Sequence, residues 1–182
     1  MAEPEKAPLR VSAAYIGLGS NLGDARGTLV AAVEALAGLG DVEAVSGLYE
    51  TDPIGYEQQP VFLNAAVRLR WDGEPLVLLD RLLGIEALFG RERAIRFGPR
   101  TLDLDLLAVP GVECDTERLT LPHPRLTERE FALRPLADIA PDLVVSGRSV
   151  RSWLVALPPQ GVRPAGRLMP DVGAADTGDD AP

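Results

Sequence analysis

Strand-like and helix-like stretches follow one another along residues 13–109 in an order that leaves few ways to fold. AAYIGLG (13–19) is a short apolar strand ending in glycines. Residues 24–38 carry Leu29, Val33 and Leu36 at helical spacing, with Asp24 placed to cap the helix start. VEAVSGLYE (42–50) and VFLNAAVRLR (61–70) read as a second and a third strand. EPLVLLDRLLGIEALFG (74–90) is an amphipathic helix with Pro75 early and Gly90 near its end. A fourth strand starts at Leu102. The order β-α-β-β-α-β is the split arrangement of ferredoxin-like folds, so the fold class is α+β. Further on come a proline-flanked loop, LPHPRL (121–126), a helix around 128–139 and a helical piece near 149–157. These are added C-terminal helices, with room for a small extra β element. The expected organisation is a loose leader (1–12), a single domain (13–157) and a disordered tail (158–182) rich in Pro and Gly. Deleting residues 160–182 is expected to change neither activity nor stability.

The fourth strand is the unusual one. GPRTLDLDLLAV (98–109) has turn signals at both ends, yet two acids interrupt it. Alternation puts Leu102, Leu104 and Leu106 on one face and Asp103, Asp105 and Leu107 on the other. A half-solvated strand with a wet outer face is one reading. The other is a metal site. Two residues on one strand are about 6.7 Å apart at Cα. Their carboxylates can converge on metal ions about 3.5–4 Å apart, as in two-metal phosphoryl-transfer sites. Hard divalent ions such as Mg²⁺ take oxygen ligands, substrate phosphates among them.

Whether the chain can hold a phosphate is then the question. Of 18 basic residues, Lys6 is the one lysine and the rest are arginines. No G-x-x-x-x-G-K-[ST] motif occurs, so arginines, backbone N–H groups and metal must do the holding. Arg91, Arg93, Arg96 and Arg100 crowd one loop that runs into Asp103. Such a run is usually a solvated basic loop; beside metal-binding acids it is also what a polyphosphate needs. One His and one Cys exclude a His/Cys zinc cluster. A net charge of −9 argues against a general nucleic-acid binder. The lone Cys114, the absence of a long apolar run and an acidic start without a signal-like segment fit the cytoplasm.

GLGSNLGD (17–24) fails the dinucleotide-binding spacing by one residue, which leaves a tight turn with a helix cap. Phe62 and Asn64 face the same way on the third strand. They are either a core aromatic and a satisfied amide, or a pair that stacks a flat heterocycle and reads its polar edge. The loop TDPIGYEQQP (51–60) is long for a hairpin and is a candidate functional loop.

Together these segments resemble the 6-hydroxymethyl-7,8-dihydropterin pyrophosphokinase family of folate biosynthesis. The matching stretches are YIGLGSNLGD (15–24), YETDPIGYEQQPVFLNAAV (49–67), GPRTLDLDLL (98–107) and LTLPHPRLTEREFALRPLADIAP (119–141). The resemblance implies pyrophosphate transfer from ATP to the pterin hydroxymethyl group, with release of AMP. It implies two Mg²⁺ ions on Asp103 and Asp105, and catalytic arginines at Arg91 and Arg100. It implies pterin contacts from Thr51, Pro53, Gly55, Phe62, Asn64 and Phe131, the two phenylalanines stacking on the two faces of the ring. ATP contacts fall to Glu86, Arg93, Arg100, His123 and Arg129. The expected partners are ATP and hydroxymethyldihydropterin, with no nucleic acid and no membrane, and the chain is expected to act as a monomer. Phe97 stands where many members have Trp, and Pro124 where an aromatic can stand.

Overall fold

The computed structural model describes residues 13–53, 55, 57–90 and 100–170. Expectations about the leader 1–12, the loop 91–99 and residues 171–182 lie outside the described residues. Strand β1 (Ala14–Ser20) is followed by helix α1 (Ala25–Ala37), then β2 (Val42–Val45), β3 (Gly47–Thr51) and β4 (Phe62–Leu69). Helix α2 (Pro75–Leu88) leads through the arginine loop to β5 (Asp103–Ala108). The sheet runs β3-β4-β1-β5, with β2 beside β3 along β4, and every pairing is antiparallel. This is the expected ferredoxin-like core: β4 lies between the strands that flank α1, and β1 between those that flank α2.

The local signals explain the element ends. Asp24 accepts the Gly27 N–H at 2.9 Å and caps α1. Pro75 opens α2, and Gly90, at φ 71°, ends its last turn in a conformation that favours glycine. The single strand expected over 42–50 is two. Ser46 interrupts it: its hydroxyl accepts the Ala66 N–H at 2.8 Å, replacing a main-chain acceptor of the ladder.

Alternation sorts the sheet's two faces. Ala14, Ile16 and Leu18 of β1 join Ala65, Val67, Leu104 and Leu106 in a core shared with Leu29 and Leu36 of α1 and Leu78 and Leu82 of α2. The opposite face is roofed by α3 (Glu130–Ile139) and α4 (Val150–Ala156), which bury Tyr15 and Leu107 against Leu126, Leu133, Leu136 and Val150. The acid-bearing face of β5 is therefore roofed along part of its length rather than uniformly wet. Two small hairpins, β6–β7 (Cys114–Asp115 with Thr120–Leu121) and β8–β9 (Val144–Val145 with Arg148–Ser149), supply the extra β elements.

The tail is a correction. Residues 163–167 form β10 and pair antiparallel with the outer edge of β3. The strand is anchored by Leu168, only 3 % exposed, and by Arg163, which bonds both Glu50 and Asp52 at 2.9 Å. An edge strand tolerates Pro164, whose missing N–H need not face a partner. Proline and Gly166 hid the strand by breaking the alternating pattern.

Candidate active site

The floor of the site is one row of the sheet. Tyr49 stands opposite Asn64, Asn64 opposite Gly19, and Gly19 opposite Asp103. Two residue pairs along, on the same face, Gly17 stands opposite Asp105. Gly17 and Gly19 thus lie within β1, and it is Gly23, at φ 59°, that makes the turn. A Cβ on residue 19 would sit 3.4 Å from Asn64 Oδ1 and 3.9 Å from Asp103 Cβ. Glycine here hollows the sheet between an amide and an acid. The turn reading missed this role, although the alternation of Gly17 and Gly19 with Ile16 and Leu18 carried the signal.

Above this floor is a cavity of about 300 Å³ between the sheet and the start of α3. Thr51, Phe62, Asn64, Arg100, Asp103, Asp105, Arg129 and Phe131 all line it. The two phenylalanines come from different layers, Phe62 from β4 and Phe131 from the first turn of α3. Asn64 is buried, and its amide N–H donates to the Thr51 hydroxyl at 3.0 Å, which fixes the orientation of the group. Pro53 and Gly55 are not among the walls. Asp52, Arg125, Glu128 and Gln160 are, none of them singled out from the sequence.

A second cavity, of about 280 Å³, opens beyond the edge strand β5. Leu79, Leu83 and Glu86 of α2 form one side, and residues 116–120 with His123 and Pro124 the other. Asp105 lines both cavities. Of the expected nucleotide residues, Glu86 and His123 line the second cavity, whereas Arg100 and Arg129 line the first. Glu86 is only 2 % exposed, and its carboxylate accepts the Leu104 N–H at 2.7 Å. It therefore secures the open edge of β5 between the two acids. The His123 N–H donates to Leu107 O at 2.8 Å further along the same edge. Its ring Nδ1 accepts the Arg125 N–H at 3.2 Å, which leaves Nε2 to carry the proton of the neutral ring. Burial, then the nearby Arg129 charge, pushes the His123 pKa down.

Asp103 is paired with Arg100. Asp105 is pushed up to about 7, first by burial and then by the Asp103 charge, against the pull of Arg129 and Arg100. The Arg129 guanidinium lies 5.5 Å from the centre of the Phe131 ring, and burial followed by the Arg125 charge lowers its pKa. No group of three or more His, Cys, Asp or Glu side chains able to hold a metal occurs among the described residues. The acid pair is a partial, all-oxygen donor set that needs further oxygens from a ligand or water.

Arg100 is placed by Asn21, which is buried. Asn21 Oδ1 accepts the Arg100 N–H at 2.8 Å, and the Asn21 N–H donates to Arg100 O at 3.1 Å. Its side-chain N–H group also donates to Gln59 Oε1 and Pro60 O, both at 3.0 Å. One amide thereby ties the turn after β1, the 51–60 loop and the root of the arginine loop. Arg91 and Arg93 lie outside the described residues.

An aromatic-and-amide cavity, a second cavity beside it, and an acid pair with arginines at their junction define an enzyme class: a nucleotide-dependent transferase acting on small molecules. The model of the 7,8-dihydro-6-hydroxymethylpterin-pyrophosphokinase (HPPK) family matches residues 15–141. A 2-amino-4-hydroxy-6-hydroxymethyldihydropteridine pyrophosphokinase of Methylorubrum extorquens is 48% identical over 151 residues, 82% of this chain and 96% of that protein. The enzyme of the same name from Pseudomonas aeruginosa is 44% identical over 151 residues, 81% of this chain and 93% of that one. A crystal structure of Plasmodium falciparum HPPK-DHPS with pteroate shares the fold, with a TM-score of 0.61 at 15% identity over 83% of this chain. The match spans 44% of that longer chain. The chain belongs to the HPPK family and is a pyrophosphokinase of folate biosynthesis.

Proposed function

We propose that the chain transfers the pyrophosphoryl group of ATP to the hydroxymethyl oxygen of 6-hydroxymethyl-7,8-dihydropterin. The O–H bond of the pterin breaks as a new O–P bond forms at the β-phosphorus. The bond from that phosphorus to the α,β-bridging oxygen breaks and AMP leaves, while the hydroxyl proton passes to a triphosphate oxygen or to water. The observation that carries this reading is Asp105 in the wall of both cavities, so that ligands in the two would meet at the acid pair.

Residue roles follow from position. Phe62 and Phe131 stack on the pterin, and Asn64, oriented by Thr51, reads its amide-like edge. Pro53 and Gly55 belong to the loop flanking that edge. Glu86 holds β5, His123 donates Nε2–H to the nucleotide, and Arg100 and Arg129 neutralise charge that develops on the triphosphate. Arg91 and Arg93, outside the described residues, are given the same charge-neutralising role on the family resemblance alone. Asp103 and Asp105 fit two Mg²⁺ ions: their donors are hard oxygens, and the carboxylates repel each other while no cation lies between them. When bound, Mg²⁺ offsets triphosphate charge and polarises the β-phosphorus. We place the chain in the cytoplasm as a monomer. Supporting the compartment is the lone Cys114; among the described residues no helix is long and apolar enough to cross a membrane.

Incubation with ATP, Mg²⁺ and 6-hydroxymethyl-7,8-dihydropterin tests the reading. AMP and a pyrophosphorylated pterin are the expected products. ADP would point to γ-phosphate transfer instead, and ligand binding without turnover to a regulatory module.

A further inference from the structure

Glu130 is a buried acid, 4 % exposed, that the proposed reaction does not use. Its carboxylate accepts the Gln160 backbone N–H at 2.5 Å and two N–H groups of Arg134, at 3.0 and 2.6 Å. Burial alone would raise its pKa, but the Gln160 N–H, Arg134 and the Val162 N–H outweigh that and hold it below the ordinary value. The partner segment answers in kind. Gln160 Oε1 accepts the Glu130 N–H at 3.0 Å, and Gln160 Nε2 donates to Glu128 O at 2.8 Å. One side-chain amide therefore bonds the carbonyl before Arg129 and the N–H after it. Arg129 itself has an extended backbone, φ −119° and ψ 107°, at the break between a 3-10 turn and α3. Its N–H donates to Leu126 O at 3.4 Å and its carbonyl accepts the Ala132 and Leu133 N–H groups at 3.1 and 3.0 Å. Gln160 bridges the break from outside.

Gln160 lies beyond residues 15–141 matched by the family model, on the segment that leads into β10. That segment reaches both walls of the first cavity. At residue 160 it grips the Arg129–Phe131 wall, and at Arg163 it grips Glu50 and Asp52, which flank Thr51. Gln160 also lines the cavity.

We propose that Gln160 is a positioning residue for the transfer reaction: clamped to Glu128 and Glu130, it holds Arg129 over Phe131 and beside the acid pair. The inference rests on the functional reading of that cavity. It makes the segment after α4 part of the catalytic assembly rather than a terminal appendage.

A double-mutant cycle tests it, with AMP formation followed for Gln160→Ala, Arg129→Ala and the pair. Losing the two side-chain hydrogen bonds should lower kcat/KM roughly tenfold, about 1.4 kcal/mol. That fall should divide between kcat and KM as it does in Arg129→Ala. The double variant should be no worse than Arg129→Ala alone, because Gln160 acts through that side chain. Losses that multiply in full, or native kinetics in Gln160→Ala, overturn the proposal. Gln160→Met keeps the length of the side chain without its polar groups, and it should repeat the result if the alanine variant folds poorly. Amide exchange at Glu130 reads the clamp without turnover and should quicken about tenfold in either Gln160 variant. Unchanged protection there also overturns it. Failure of the functional reading is a different result, the absence of AMP from the unmodified chain.

Discussion

In the free protein Asp105 shares a strand face with Asp103, and burial followed by the Asp103 charge disfavours its ionisation. Asp103→Asn and Asp105→Asn should each lower kcat by about 10²–10³ at saturating Mg²⁺, as the loss of one preorganised charge-stabilising group does. Steady-state AMP release measures this, and near-native rates in both would remove the acids from the mechanism. Stability should move the other way. The folded value of about 7 lies above the ordinary 3.8, so without Mg²⁺ the native state loses stability as pH rises from about 4 through 7. Asp105→Asn is therefore expected to melt higher than the native chain at pH 8 and to lose that advantage near pH 4. Gly19 sets a second opposition. Ala at 19 meets only an ordinary contact at 3.4 Å, and alanine relieves about 0.5–1 kcal/mol of the backbone penalty of glycine in a strand. Gly19→Ala should thus fold at least as well, yet bind pterin about tenfold more weakly, a difference of about 1.4 kcal/mol, because its methyl stands on the cavity floor. Calorimetry beside thermal melting separates the two effects. The acid pair, Phe62 and Asn64 were legible in the sequence because alternation along a strand names a side chain by its face, while Phe131 came from the family resemblance alone. Gly19, Asn21 and Gln160 were not, because their roles are an absent side chain, a three-loop tie and a long-range bond.

Among the elements, β10 is where pattern reading failed and packing decides. Leu168 has no periodic neighbour to announce it, yet it is buried in the core shared by α1 and α2. Leu168→Ala should cost about 2–5 kcal/mol, the range for buried leucines. Ending the chain after Leu157 should lower the melting temperature by more, since it also removes the β3 pairing and the Arg163 bonds. Denaturant unfolding of both variants checks this, and a truncated chain as stable as the native one would mean that β10 does not dock. The helix expected around 128–139 shows a milder form of the same limit. A 3-10 turn occupies Leu126–Glu128 and α3 begins only at Glu130. The helical periodicity was readable, but the break at Arg129, bridged by a residue about thirty positions away, was not.

At the scale of the whole molecule, the sheet separates labour by face: one face carries the core with α1 and α2, and the other carries the reaction under α3. The division was legible because β1, β4 and β5 alternate cleanly, while the reach of Gln160, on the segment before β10, into the cavity wall was not. Asp105 lies at the junction of the two cavities, and no third His, Cys, Asp or Glu side chain joins the acid pair in a metal-holding group among the described residues. Chelation should therefore abolish AMP formation yet leave the melting curve of the free protein unshifted, and a fall in melting temperature with chelator would show a metal built into the fold. On the proposed reading, cation and triphosphate are two halves of one coordination sphere. The protein then has no resident metal to lose: its ions arrive as cargo on each nucleotide and depart with the products, so that every turnover reassembles the catalyst.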